Sequence, residues 1–337
     1  MRYFAVLALI FFLPVQALAQ TWEDRRVFGP ENAATTLRVL SSTDTSFFAP
    51  IIESYIALQS DLAVEYLVTG TADLDDIFRQ SPDQFDVVIS SAMDLQFKLA
   101  NDGYAQRIND LAHPEWAQWR SSLFAFTTEP AAIVVNTAAF EGLSIPNTRQ
   151  ELIEVLRVNS ELFFGKVGTY DIRQSGLGYL FATQDARASE TYWRLMEVIG
   201  SLDTQLYCCS GDMIDDLAEG RILVAYNVLG SYAVARAEAA DVLTIIVPTD
   251  FATTMMRSAL VSKASSEPAL AEAFVRHLIK LQASGDAAEF PLPSLGSLQI
   301  SSARSSIGLE PALMTYLDKL KRQTFMREWE SATIQDQ

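Results

Sequence analysis

Short apolar stretches that end in clusters of serine and threonine, and then pass directly into helical periodicity, recur along this chain. Residues 37–40 read as a short buried strand, and Phe48, Ile51, Ile52, Tyr55 and Ile56 follow at helical spacing. Between them lies a hinge of small hydroxyls, Ser41, Ser42, Thr43, Thr45 and Ser46, interrupted by Asp44. Such residues are good N-caps, so the turn sets side-chain hydroxyls and free backbone N–H groups at the positive end of a helix dipole. That is a ready seat for an anion or a polar ligand. The arrangement returns after residues 85–89, where Ser90, Ser91, Ala92 and Met93 lead into Leu95, Phe97 and Leu99. It returns again after 166–170, where Arg173, Gln174, Ser175 and Gly176 open a helix through Leu177, Leu180 and Phe181. A fourth copy runs from Asn227 to Tyr232, after a strand over 221–226. One strand, capped turn and helix occurs in any α/β protein. Repetition at the carboxyl ends of parallel strands is what points to a ligand, because open α/β sheets bind there.

The remaining periodicities predict strands over 64–68, 131–136, 242–247 and 255–261, and helices over 72–79, 146–157, 190–200, 210–219, 267–283 and 309–330. Residues 20–36 read as a polar lead-in. No internal repeat or low-complexity linker separates two halves, so two βα-rich lobes that exchange strands directly are expected.

The first residues stand apart. Arg2 is a short basic start, residues 3–15 are an apolar run containing Pro14, and Ala17-Leu18-Ala19 is a small-x-small cleavage pattern before Gln20. This predicts a signal peptide over residues 1–19 and export to the periplasm. The apolar run is too short for a stable span, and no later stretch approaches the required length. About 318 residues would remain, more than one hydrophobic core usually serves.

The formal charge is −17, and losing Arg2 makes it one unit more negative. Such a balance disfavours nucleic acid and anionic membranes as partners. It leaves open an anionic small molecule, which binds local dipoles and one or two arginines. The two cysteines, Cys208 and Cys209, are adjacent. Either a vicinal disulfide or a pair of buried thiols fits them, and a disulfide framework does not. With His113 and His277 far apart, zinc chemistry is disfavoured. No nucleophile elbow, phosphate-binding loop or paired-histidine motif is present, so an enzyme is not expected, and neither is a cofactor.

In sequence order, LRVLSSTDTSFFAPIIESY, FDVVISSAMDLQFKLANDGYAQ, AIVVN, VGTYDIRQSGLGYLFATQD, LAEGRILVAYNVLGSYA and RSALVSKASSEPALAEAFVRHLI resemble segments of type 2 periplasmic solute-binding proteins of ABC transporters. The branch resembled includes ferric-iron-binding and phosphorylated-metabolite-binding proteins, among them the phosphoglycerate regulatory protein. The resemblance covers nearly the whole mature chain. It implies an α/β fold of two lobes joined by hinge strands near 127–136 and 242–251, with an N-lobe of residues 35–130 and 249–337 and a C-lobe of 131–248. It also implies closure on a solute and delivery to a membrane permease or presentation to a sensor histidine kinase; a monomer is expected.

On that basis the candidate ligand residues are Ser42, Thr43, Ser91 and Ala92 of the N-lobe, the last through its N–H, and Thr169, Tyr170, Ser175, Gly176, Asn227 and Tyr232 of the C-lobe. Arg173 and Arg257 are added because a guanidinium forks onto carboxylate or phosphate. Surface salt bridging is the plain alternative for Arg173, whereas Arg257 lies in an apolar run and needs a partner. The expected solute is a phosphorylated or carboxylated metabolite. Ferric iron is the alternative, but iron binders of this branch use adjacent tyrosines, and no Tyr-Tyr pair occurs here.

Overall fold

A computed structural model describes residues 22–59, 61–237, 242–285, 290–296 and 306–335. The signal-peptide expectation for residues 1–19 falls outside them. In chain order, the strands are β1 (Asp24–Phe28), β2 (Thr35–Ser41), β3 (Leu62–Val68), β4 (Val87–Ser90), β5 (Gln118–Trp119), β6 (Leu123–Ala125), β7 (Glu129–Asn136), β8 (Val167–Tyr170), β9 (Gln205–Tyr207), β10 (Val224–Leu229), β11 (Leu243–Ile246), β12 (Thr254–Met255) and β13 (Ser258–Val261). They form one sheet in the order β1-β3-β2-β4-β13-β6-β5 and another in the order β11-β7-β10-β8-β9, with β12 beside the start of β7. β2 is parallel to β3 and β4, and β8 is parallel to β9 and β10. The α/β class with two lobes expected from the sequence is therefore present.

The helices are α1 (Thr45–Ile56), α2 (Leu74–Gln80), α3 (Met93–Asn101), α4 (Arg149–Val158), α5 (Ser160–Phe163), α6 (Gly176–Ala188), α7 (Thr191–Gly200), α8 (Ser210–Ala218), α9 (Gly230–Ala237), α10 (Pro268–Ser284) and α11 (Lys319–Thr333). Side chains alternate across a strand, so each inner strand of the first sheet feeds two cores. Leu37, Val39, Val87 and Ile89 pack with Phe48 and Ile52 of α1 and Phe274 and Leu278 of α10. Leu40 and Val88 face the other way, towards Phe78 of α2 and Phe97 of α3. Each such side chain, fully buried, contributes roughly 1.5–3 kcal/mol.

The polar lead-in contains β1, which the sequence pattern did not reveal. Four of its five residues are exposed, so no apolar alternation marks it. It pairs antiparallel with β3 as an edge strand. The predicted strand over 255–261 is broken into β12 and β13 at Met256 and Arg257, where the chain passes from one sheet to the other. The companion crossing runs from Phe126 to Glu129, and the N–H of Phe126 donates to the carbonyl of Arg257.

The chain crosses a third time, which the lobe boundaries drawn from the sequence omit. α11 packs on α7, not on the first sheet, with Phe325 and Trp329 buried among Tyr179, Tyr192 and Leu195. Gly200 allows this approach, since a Cβ there would lie 2.9 Å from the Cα of Thr333. The predicted helix over 309–330 begins as a 3₁₀ segment, Pro311–Leu317, and restarts at Asp318, whose carboxylate accepts from the N–H groups of Leu320 and Lys321.

Candidate functional site

Between the sheets lies a cavity of about 340 Å³. From the first lobe it is lined by Glu23, Ser42, Asp44, Thr69, Gly70, Thr71 and Ser91; from the second by Tyr170, Ser175, Leu177, Cys208 to Asp212, Leu229 and Tyr232; and Arg257 reaches it from the crossing. Four of these groups sit where a strand turns into a helix. Asp44 is the N-cap of α1, Ser91 precedes the cap of α3, Ser175 caps α6 by accepting from the N–H of Gly178 at 3.1 Å, and Cys209 and Ser210 open α8. The positive ends of four helix dipoles thus meet one small space.

The cleft is closed. Thr71 Oγ1 in the first lobe accepts from the N–H groups of Gly176 at 2.9 Å and Leu177 at 3.2 Å in the second. The rings of Phe47 and Tyr232 approach to 4.9 Å between centroids, and the Tyr232 hydroxyl bonds Asp44.

Of the twelve residues expected from the sequence, Ser42, Ser91, Tyr170, Ser175, Tyr232 and Arg257 line the cavity. The other six do not, and their polar groups are engaged elsewhere. Thr43 is buried behind the wall and accepts from Arg257 Nη1 at 2.6 Å. The N–H of Ala92 donates to Ser90 Oγ at 3.1 Å. Thr169 donates to the carbonyl of Tyr226 at 3.4 Å. Gly176 spends its N–H on Thr71.

Asn227 marks a bulge where the register of β10 against β7 shifts. Its φ is +64°, and its amide donates to Asp185 at 2.9 Å. Asn tolerates that left-handed conformation better than most residues. Arg173, 40% exposed, forks onto the buried carboxylate of Asp171 at 2.8 and 2.7 Å, an ion pair with an acid of its own chain and outside the cavity lining.

Arg257 is fully buried. Its Nε donates to Glu129 Oε1 at 2.7 Å, its Nη2 to Oε2 at 3.3 Å, and its N–H to Thr127 at 2.9 Å. Burial would favour discharging the guanidinium, but the Glu129 carboxylate outweighs that and holds its proton more firmly than water would. Glu129 also accepts from Thr127 and Ser231. The charge that reaches the cavity floor is thus already met by an internal carboxylate.

The carboxylates of the lining were not found from the sequence, where the search followed hydroxyls and arginines. Glu23 and Asp73 flank Gly70, whose added Cβ would lie 3.3 and 3.4 Å from their oxygens. Asp44 reaches across towards Gly211. Burial, followed by the charges of Asp44, Asp73 and Asp212, raises the affinity of Glu23 for its proton. A second buried network was also missed: Asp185 accepts from Arg149, Tyr226, Asn227 and Thr253, and Arg149 also pairs with Asp250 at 3.0 Å. Its signal was available, since Arg149 shares a helical face with Leu152, Ile153 and Leu156, and a cation there requires a partner.

Cys208 and Cys209 form a disulfide that lines the cavity. Among the described residues the one grouping of three metal-ligating side chains is Cys208, Cys209 and Asp212, and the disulfide occupies both sulfurs. His113 and His277 hydrogen-bond Ala117 and Ser54 away from the cavity. No described helix is long and apolar enough to cross a membrane.

No family model matches the chain, and no curated protein matches it. Solved structures do. The substrate-binding protein of an ABC transporter from Agrobacterium tumefaciens shares 30% identity over 93% of this chain and 98% of its own, with a TM-score of 0.86. AfuA from Actinobacillus pleuropneumoniae, a periplasmic binding protein with fructose-6-phosphate bound, shares the fold at 13% identity over 88% and 98% of the two chains, with a TM-score of 0.73. Iron-bound HitA from Pseudomonas aeruginosa does so at 14%, over 87% and 99%, with a TM-score of 0.68. By the first of these similarities, over nearly its whole length, the chain belongs to the substrate-binding proteins of ABC transporters.

Proposed function

We propose that this protein is the periplasmic solute receptor of an ABC importer, closing its lobes over a small polar solute and presenting the closed form to the permease. The observation that carries the reading is a cavity lined by helix starts from both lobes. An anionic group of the solute, carboxylate or phosphate, sits against those N-termini and the hydroxyls of Ser42, Ser91 and Ser175. Each such bond has a net worth of about 1 kcal/mol, and several converging bonds give roughly micromolar binding that still releases to a transporter. The periplasmic address rests on the signal pattern in residues 1–19 together with the family. The family also favours a permease over a histidine kinase as membrane partner, and capture over catalysis.

Ferric iron is the weaker reading. The Tyr170 hydroxyl is pushed up to about 12 by burial and is bonded to Ser210, and burial also raises that of Tyr232. Both hydroxyls are already engaged within the protein, that of Tyr170 with Ser210 and that of Tyr232 with Asp44. Tyr226 lies in the Asp185 network, outside the lining.

A thermal-shift screen of residues 20–337 against phosphorylated compounds, mono- and dicarboxylates, amino acids and ferric citrate tests the proposal. A ligand of the folded state adds about 2.7 kcal/mol at a hundred-fold excess over its Kd. A rise with phosphates or carboxylates supports the anion seat. A rise with ferric iron alone overturns it.

A further inference from the structure

We infer that the solute is a zwitterion, with an amine or quaternary ammonium group held by Glu23, Asp44 and Asp212 while its anionic group meets the helix N-termini. This rests on the reading of the cleft as the solute site with an anion seat, and deepens it. The three carboxylates enter one cavity from both lobes: Glu23 from the lead into β1, Asp44 from the cap of α1, Asp212 from the first turn of α8. Arg257, the only cationic residue among the described lining, is already matched by Glu129. Closure therefore gathers carboxylates beside which the described lining places no free cationic side chain, and like charges drawn together raise the free energy of the closed state. The lobes close at less cost when the solute supplies the positive charge. Glu23 registers the crowding, its proton held more tightly by burial and by the neighbouring acids.

A bare metal ion does not fit this role. Oxygens of Glu23, Asp44 and Asp212 do not come within 4.8 Å of one another as a set. They suit a diffuse organic cation, whose charge is spread over a larger group. At the same cavity the N-termini of α1 and α8 already face Asp44 and Asp212, whereas those of α3 and α6, beside Ser91 and Ser175, meet no carboxylate of the lining and favour an anion over a simple cation. Both poles of the cavity are satisfied together by one molecule carrying both charges.

Calorimetric titration of the full mature chain with matched pairs tests this: phosphoethanolamine against ethyl phosphate, 4-aminobutanoate against butanoate, and carnitine against 3-hydroxybutanoate. The cation-bearing member of at least one pair is expected to bind ten-fold or more tightly than its partner. Glu23→Gln and Asp212→Asn, both at exposed positions, should each cut that preference at least three-fold without lowering Tm. Binding of the cation-free member as tightly as its partner, or an undiminished preference in both variants, overturns the zwitterion while leaving the anion seat standing. If neither member of any pair binds, the anion seat fails and the inference fails with it.

Discussion

The hydroxyl of Thr71 in the first lobe caps the helix that begins at Gly176 in the second, accepting its N–H at 2.9 Å. Helix capping is normally a local matter. Here the cap for α6 is divided between Ser175, from its own chain segment, and Thr71, from across the cleft. A contact between the lobes therefore satisfies backbone donors that separated lobes would leave to water.

Removing this latch should weaken the closed state selectively. Thr71→Val loses a cap of roughly 0.5–2 kcal/mol, so solute affinity should fall about 2- to 30-fold, with little change in the Tm of the unliganded protein. Gly176→Ala is the steric counterpart, because its Cβ would lie 2.7 Å from the Thr71 carbonyl oxygen. Small-angle scattering should show Gly176→Ala remaining expanded with any ligand that contracts the parent protein. Full contraction would mean that the lobes meet differently.

Arg257 should matter for folding more than its place in the cavity suggests. Arg257→Met leaves Glu129 buried without its counter-charge, a loss of roughly 3–5 kcal/mol. Adding Glu129→Gln removes the orphaned charge, its amide oxygen still accepting from one of the hydroxyls of Thr127 and Ser231 and its NH2 donating to the other, and should restore most of the stability. Arg173→Ala should cost less, about 1 kcal/mol, because its guanidinium is half-buried and the Asp171 carboxylate keeps the N–H of residue 173 and the Gln174 amide as donors. Urea titrations of the four proteins check this, and equal losses for Arg257→Met and Arg173→Ala would refute it.

Asp94 should make stability fall as pH rises. It is buried in the first turn of α3 with Oδ1 unpartnered. Burial chiefly, with Asp75 adding to it and Arg322 opposing, pushes its pKa up to about 7 from 3.8. Between those values the folded chain keeps a proton that the unfolded chain releases, so unfolding free energy declines with pH over that window, by at most roughly 4 kcal/mol. Asp94→Asn should flatten the decline and raise Tm at pH 8. A parallel pH profile for parent and variant would place the carboxyl in contact with water.

Much of the architecture could be read from residues close together in sequence. Strand, hydroxyl turn and helix are decided within a dozen residues by side-chain alternation, helical spacing and capping, so the turns at Ser42, Ser91 and Ser175 were visible, and all three reach the cavity. What a polar side chain does there depends on partners far away in sequence. Arg257 and Glu129 are 128 positions apart, Gly176 and Thr71 are 105 apart, and no periodicity encodes either pairing. The same holds for Glu23, Asp44 and Asp212, ordinary surface acids in the sequence, which only the meeting of the lobes brings to one cavity. The sequence by itself determined the two-lobed α/β frame and the helix starts that face the cleft, because local hydrogen bonding and burial select them. Only the tertiary structure decided which charges are matched inside the chain and which acids line the cavity with no cationic side chain beside them, because electrostatic energy depends on distance in space and on burial.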